Sequence, residues 1–396
     1  MTASRPRVLY LTTRFPYPPD RGDRLHAFHM IRVFAERFEV TLAAFADSPH
    51  GDEEGRRLLE SWGVRLIAGR LPLPGRLVRL AGGLLSGRPL QIAYYDEPRM
   101  RARLAQLAGA QAPFDAVVCH LIRTVPLARA VPARLRVVSL CDSLALGLER
   151  RLAHAPWFER PSVWLEAGRV RRYESTVLDA FEEGWVVSET DRAAFGAAAD
   201  KIVVIPNGVE QSLFEGDIPE AADPVVGFLG HLAVPHNVDA SVFLARRILP
   251  ALRARGVEAR VRLIGPEPAP AVRALAELPG VELAGYAKDL RTALRGLRVL
   301  CAPLRFSAGV QNKLIEAVAA GVPAVSSRSA VTALGAGAER WIRIADEPDE
   351  YAAAIAEAWP RSAEEKARLT AAREWGRERF RWEAYADRLG VLLARR

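Results

Sequence analysis

The stretch Arg305-Phe306-Ser307-Ala308-Gly309-Val310-Gln311-Asn312-Lys313-Leu314-Ile315-Glu316-Ala317-Val318-Ala319-Ala320-Gly321-Val322-Pro323-Ala324-Val325-Ser326-Ser327 decides how the chain is read. An apolar run, Val299 to Leu304, leads into it and ends at Arg305 in a turn of small residues. Leu314, Ile315, Val318 and Ala319 then recur at helical spacing while Asn312, Lys313 and Glu316 stay polar. Gly321 and Pro323 stop the helix, because Gly tolerates a left-handed cap and Pro cannot continue, and Ala324 to Ser326 starts the next strand. The spacing predicts strand, loop, helix, strand. A helix so placed turns its free amides, together with Arg305 and Lys313, toward the carboxyl end of a parallel sheet, where anions bind.

On either side of this stretch the same alternation repeats. Val8 to Thr12, Val40 to Phe45, Val64 to Ile67, Ala116 to Cys119, Val137 to Leu140, Trp185 to Val187 and Ile202 to Ile205 read as buried parallel strands with helical patterns between most of them. Ile205-Pro206-Asn207-Gly208 and the polar segment Glu215 to Pro224 read as a linker. Val225 to Leu229, Val261 to Ile264, Val281 to Ala284, Val299 to Ala302, Ala324 to Ser326 and Trp341 to Ile344 form a second set, closed by helices over Glu350 to Trp359, Glu364 to Trp375 and Trp382 to Leu393. The expected fold class is α/β with two doubly wound, Rossmann-like domains facing across a cleft. The domains are expected at 1–206 and 207–375, with a helix in 376–396 returning to the first.

With 396 residues there is chain for two substantial cores. Cys119, Cys141 and Cys301 are far apart and lack metal-ligand spacing, so neither a disulfide framework nor a metal is expected. The apolar run after Arg7 is too short for a signal peptide or a membrane span, and a cytoplasmic protein is expected. The net charge of +8 comes from basic residues of which only four are lysine. They are spread out with no aromatic-basic motif, so nucleic acid is not an expected partner. No acidic residue occurs between Glu60 and Asp96, where Arg65, Arg70, Arg76, Arg79 and Arg88 alternate with leucine-rich segments. Residues 65–88 thus read either as a solvated helix on its own sheet or as an amphipathic contact with anionic membrane.

Candidate site residues fall at strand ends. Gly22 opens a helix of about Leu25 to Glu36 after the proline-stiffened loop that follows strand one, and lets a ligand approach the backbone. Arg21 and Arg24 there are phosphate contacts or solvated turn residues. His26 and His29, three apart on the helix, either face the cleft or, as the commoner case, are packing or surface residues. His120, just past a strand, is a candidate acid/base or sugar-hydroxyl partner, and Asp142, ahead of Ser143, is a candidate proton acceptor or an ordinary helix cap. Arg171 and Glu174 are spaced for a surface ion pair. In the second half, Gly230 with His231 stands where backbone meets phosphate, and Gly285 with Tyr286 could border a nucleobase. Arg305, Lys313 and the helix amides suit a diphosphate, while the Glu316 carboxylate suits a ribose diol, and Ala308, Gly309, Val310 and Asn312 complete the donor-binding stretch.

Together these stretches resemble a known family. Phe15-Pro16-Tyr17-Pro18-Pro19 with Gly22-Asp23, Asp142-Ser143, Arg172-Tyr173-Glu174, Val187-Ser188-Glu189, Pro206-Asn207-Gly208-Val209, Gly230 with Pro235-His236-Asn237-Val238-Asp239, and Arg305 with Gly309 to Lys313 and Glu316-Ala317 are similar to GT-B fold glycosyltransferases of family 4. Over nearly the whole chain the closest likeness is to the sugar transferases of exosortase (PEP-CTERM) exopolysaccharide systems. The resemblance implies an N-terminal acceptor domain and a C-terminal domain for a nucleotide-diphosphate sugar. It also implies retention of configuration, transfer of a hexose to a glycan or lipid-linked acceptor, and no metal or other cofactor. Glu316 would hold the donor ribose. Two positions depart from the family: Ala308 stands where a Glu contacts the donor sugar, and His231 and His236 stand where an Arg and a Lys clamp the diphosphate. A nucleotide-sugar epimerase of the same architecture and a non-catalytic nucleotide-sugar or glycan-binding protein are the alternative readings.

Overall fold

The computed structural model describes residues 5–395 except 20–21, 46–52, 111, 155, 221–222 and 307–308. It divides into two units, Met1–Ile205 with Trp382–Arg396, and Pro206–Arg381.

The first unit holds one seven-stranded parallel sheet. Its strands are β1 (Arg7–Thr12), β2 (Glu39–Phe45), β3 (Arg65–Gly69), β4 (Phe114–His120), β5 (Ala133–Cys141), β6 (Glu183–Val186) and β7 (Ile202–Val204), in the order β3-β2-β1-β4-β5-β6-β7. Both faces are covered, which is why the strands read as continuous apolar runs. Val8 and Tyr10 of β1 enter one core with Ile31 and Phe34, whereas Leu9 and Leu11 enter the other with Leu104 and Val125. Each fully buried side chain of this kind contributes roughly 1.5–3 kcal/mol. The order reverses between β1 and β4, so the helix Gly22–Arg37 and the carboxyl ends of β4 and β5 converge there.

The return to this unit is made later than the pattern suggested. The helix Ala363–Arg379 runs unbroken through position 376, its first turn capped by Ser362, and stays with the second unit. Only the last helix, Glu383–Ala394, belongs to the first, where Trp382, Tyr385, Ala386 and Leu389 complete the core.

The second unit is a six-stranded parallel sheet of β8 (Val225–Leu229), β9 (Arg260–Ile264), β10 (Val281–Gly285), β11 (Val299–Ala302), β12 (Ala324–Ser326) and β13 (Ile342–Ile344), in the order β10-β9-β8-β11-β12-β13. Here the order reverses between β8 and β11. Ser326 Oγ donates to the Ala302 carbonyl at 2.6 Å and Ser327 Oγ to that of Leu304 at 2.7 Å, which ties the exit of β11 to its neighbour. Both sheets match the expected fold class.

Candidate functional site

In the second unit the residues singled out above gather at the β8/β11 reversal. The helix Asn312–Ala320 follows β11, and Gln311 at its N-cap makes no side-chain capping bond, so the first-turn amides lack that partner. Gly321, at φ 70°, closes the other end, its amide bonded to the Ala317 and Val318 carbonyls. Asn207 Nδ2 donates to Asn312 Oδ1 at 2.9 Å and orients the first residue of the helix.

Lys313 is only 8% exposed. Its ammonium donates to Asn237 Oδ1 at 2.7 Å and lies 4.4 Å from the centre of the Phe228 ring. Burial pushes it down to about 7, with Glu316 opposing, and burial pushes the Glu316 carboxyl up to about 7, with Lys313 opposing. Both charges of this pair are held at a cost that a ligand able to hydrogen-bond them would offset. Burial, and then Lys313, press the neighbouring His236 down to about 4, leaving a neutral ring.

Arg305 is not free. Its guanidinium makes a two-point pair with Asp239, Nε to Oδ2 at 2.9 Å and a second bond to Oδ1, and sits 4.9 Å from the Phe243 ring centre. With its side chain 54% exposed it remains open to solvent on one side. His231 Nδ1 accepts from the Ala233 amide at 3.4 Å, and its Nε2 faces Glu267 at 3.5 Å.

Three neighbouring strand ends are tied together through backbone. The Gly230 amide donates to the Ile264 carbonyl at 3.0 Å, and the Gly265 amide to that of Gly285 at 2.8 Å. Gly265 has φ 153°, and a Cβ there would stand 1.7 Å from the Gly230 carbonyl oxygen, so no other residue fits without displacing the strand ends. Gly285 ends β10 at φ 71° with open space around it, and Tyr286 is exposed. Gly309, at φ 73°, and the partly buried Val310 precede the helix, whereas Ala308 and Arg21 lie outside the described residues.

In the first unit, Gly22 begins its helix with open space where a Cβ would be. His120, the candidate acid/base or sugar-hydroxyl partner, is fully buried: its Nε2 donates to the Asp23 carbonyl at 3.0 Å and its ring stacks on His26 at 5.1 Å. Burial pushes His120 down to about 4. His26 and His29 are both buried, His29 stacked on Trp382 at 4.7 Å. Asp142 is exposed and does not cap the helix Leu144–His154; its neighbour Ser143 does, with Oγ accepting the Leu146 amide at 3.1 Å.

The expected Arg171–Glu174 surface pair does not form. Arg171 pairs with Glu149 at 2.6 Å, while Glu174, 3% exposed, accepts from Ser143 Oγ at 3.0 Å and from the Ala145 amide at 3.3 Å. Burial pushes Glu174 up to about 7 despite those bonds. Asp191 accepts from the Ser143 amide at 3.2 Å and from Ser188 Oγ, so the motifs around Ser143, Glu174 and Ser188 are one buried knot that holds strand ends in place. Asn237, Asp239 and Phe228 were not singled out individually in sequence, whereas Gly265, followed by Pro266, is legible there as the end of a strand.

A family model described as "Glycosyl transferase 4-like domain" matches residues 22–208, and one described as "Glycosyl transferases group 1" matches residues 223–360. No curated protein matches the chain. Among solved structures, Anabaena HepE in complex with UDP and glucose is 17% identical, with 98% of this chain and 100% of that chain covered and a TM-score of 0.67. A mutant of S. aureus TarM in complex with fondaparinux, alpha-GlcNAc-glycerol and UDP is 11% identical over 98% and 99%, with a TM-score of 0.65. A structure from E. coli bound with UDP-2-fluoro glucose is 15% identical over 98% of each chain, with a TM-score of 0.65. At these identities the likeness is one of fold. The two family models, which together take in most of the sequence, and the two parallel sheets place the chain among the GT-B glycosyltransferases, with a family 4-like first unit and a group 1 second unit.

Proposed function

We propose that the chain is a retaining hexosyltransferase that takes a UDP-sugar as donor and a glycan or lipid-linked acceptor in exopolysaccharide synthesis at the cytoplasmic face of a membrane. The observation that carries this reading is the Lys313–Glu316 pair on a helix whose N-terminus, without a side-chain cap, stands at the β8/β11 reversal. Lys313, the open side of Arg305 and the helix amides supply positive charge to a departing diphosphate, so the reading needs no metal there and no cofactor beyond the donor. Glu316 accepts two hydrogen bonds from the ribose diol. The exposed strand end at Gly285, with open space where a Cβ would be, lets a nucleotide approach its backbone without meeting a side chain.

In this reading the diphosphate leaves with the electron pair of the bond to the anomeric carbon. The acceptor hydroxyl attacks that carbon from the same face, and its proton passes to a departing phosphate oxygen. The second unit takes the donor and the first the acceptor. Glu316→Ala removes two charge-assisted bonds worth about 1.5–3 kcal/mol each, so UDP affinity by calorimetry should fall at least about 100-fold. Unchanged affinity and turnover would remove Glu316 from the donor site.

Membrane contact has its own support. The helix Leu73–Ser86 exposes Leu73, Leu77, Val78 and Leu85, the last 91% accessible, and is flanked by Arg70 and Arg88. Arg169 reaches it from the helix Arg160–Val177, donating to the Leu84 carbonyl at 3.4 Å, and that helix and the turn before it expose Trp157, Phe158 and Trp164. Apolar and aromatic side chains beside arginines suit an anionic bilayer surface. No described helix is long and apolar enough to cross a membrane. The protein should sediment with vesicles containing phosphatidylglycerol and not with neutral ones, and Leu77→Asp with Leu85→Asp should abolish this; sedimentation unaffected by the double variant would refute the assignment.

A further inference from the structure

We infer that His26, His120 and Cys141, in the first unit, form a binding site for a borderline divalent metal ion of the Zn²⁺ type. A ring nitrogen of each histidine and Cys141 Sγ lie within 4.8 Å of one another. The residues come from three elements, the helix Gly22–Arg37 and the ends of β4 and β5, which the sheet order brings together at the β1/β4 reversal.

Hydrogen bonding fixes which nitrogens are bare. Tyr385 Oη donates its only hydrogen to the Ile205 carbonyl at 2.7 Å. The 3.1 Å contact between that oxygen and His26 Nε2 is therefore one in which His26 donates, so its Nδ1 carries a lone pair and no proton. His120 Nε2 faces the Asp23 carbonyl, which can only accept, so His120 Nδ1 is bare as well. Neither Nδ1 has a hydrogen-bond partner among the described residues, and both side chains are more than nine-tenths buried. Two orphaned acceptors in an interior are unfavourable as neutral polar groups.

A cation does what a donor would. Histidine ligands commonly donate their second nitrogen to a carbonyl or another oxygen, which fixes tautomer and ring direction, and both rings already do so. The third donor is aimed by backbone geometry. Register between β5 and β6 shifts between Ser139 and Cys141, and Cys141 takes a left-handed conformation at φ 63°, unusual for a residue other than glycine. Two imidazoles and a thiolate are a zinc-type donor set, and three protein ligands leave a coordination position for water.

Loading the ion leaves a count that can be measured. Both Nδ1 atoms are already unprotonated, so the only proton released is that of the Cys141 thiol: one per ion, passed to buffer as the sulfur–metal bond forms. This site is separate from the nucleotide-binding reading of the second unit and does not depend on it.

The full chain, stripped with a chelator, is titrated with Co²⁺ as a spectroscopic probe. One equivalent should bind with a near-ultraviolet thiolate-to-cobalt band, and calorimetry in buffers of different ionisation enthalpy should give one proton released. Cys141→Ser should remove the band, and Tyr385→Phe, which frees the His26 tautomer, should weaken binding about 10- to 100-fold while keeping the band. The wild-type spectrum decides even where a variant does not fold: without saturable binding and a thiolate band the inference is wrong. A band that survives in Cys141→Ser would also overturn it.

Discussion

Replacing Lys313 by methionine separates what its ammonium costs the fold from what it gives a ligand. Burial brings the group from 10.5 down to about 7. At about 1.36 kcal/mol per unit, keeping this side chain in the folded protein at pH 7 costs on the order of 4 kcal/mol relative to the unfolded chain. Methionine has similar length and removes that cost, but leaves Asn237 Oδ1 without its donor, at about 1–3 kcal/mol. The variant should therefore be more stable at pH 7 by about 1–3 kcal/mol. Because the folded pKa lies below the unfolded one, the unfolded chain binds the extra proton between about 7 and 10.5. Wild-type stability should rise across that window relative to the variant, and the gap should close. Denaturant unfolding of both proteins from pH 7 to 9.5 measures this, and calorimetry with UDP measures the other side, where the variant should lose about 10- to 100-fold in affinity. A variant that is less stable at pH 7 by an amount independent of pH, or one that binds UDP normally, would refute the reasoning.

Two further outcomes test the frame around the site. Glu174 has its folded pKa raised from 4.5 to about 7, so its contribution is present in full below 4.5 and lost as pH rises through 7. Relative to Glu174→Gln, the wild type should lose about 3 kcal/mol across that window in unfolding experiments; a pH-independent difference would show that the carboxyl is not buried as described. Gly265→Ala puts a Cβ against the Gly230 carbonyl and should lower the denaturant midpoint by more than about 1 kcal/mol equivalent. An unchanged midpoint would mean that the β8 and β9 ends do not approach as closely as described.

The strands were legible because both sheets are buried on both faces, so runs such as Val8 to Thr12 and Val299 to Ala302 show their burial without reference to partners. The helix Asn312–Ala320 was legible for the same local reason, with Gly321 marking its end. What escaped depends on distant partners. Glu174 looked like half of a surface pair because its partner Ser143 is 31 residues away. The link from Asp239 to Arg305 spans 66 residues and that from Asn237 to Lys313 spans 76, and no local spacing records either. The His26, His120 and Cys141 grouping is also invisible in spacing, because only the order of the strands makes it.

The position of the last helix carries a consequence for the order of assembly. Trp382, Tyr385, Ala386 and Leu389 belong to the core that packs the helix Gly22–Arg37, and Arg388 pairs with Glu183 of β6. During synthesis the second unit, Pro206–Arg381, has all of its residues before the first unit has its last. The unit begun first is thus completed after the second, and Tyr385, which sets the His26 tautomer, arrives only once all of the second unit has been made.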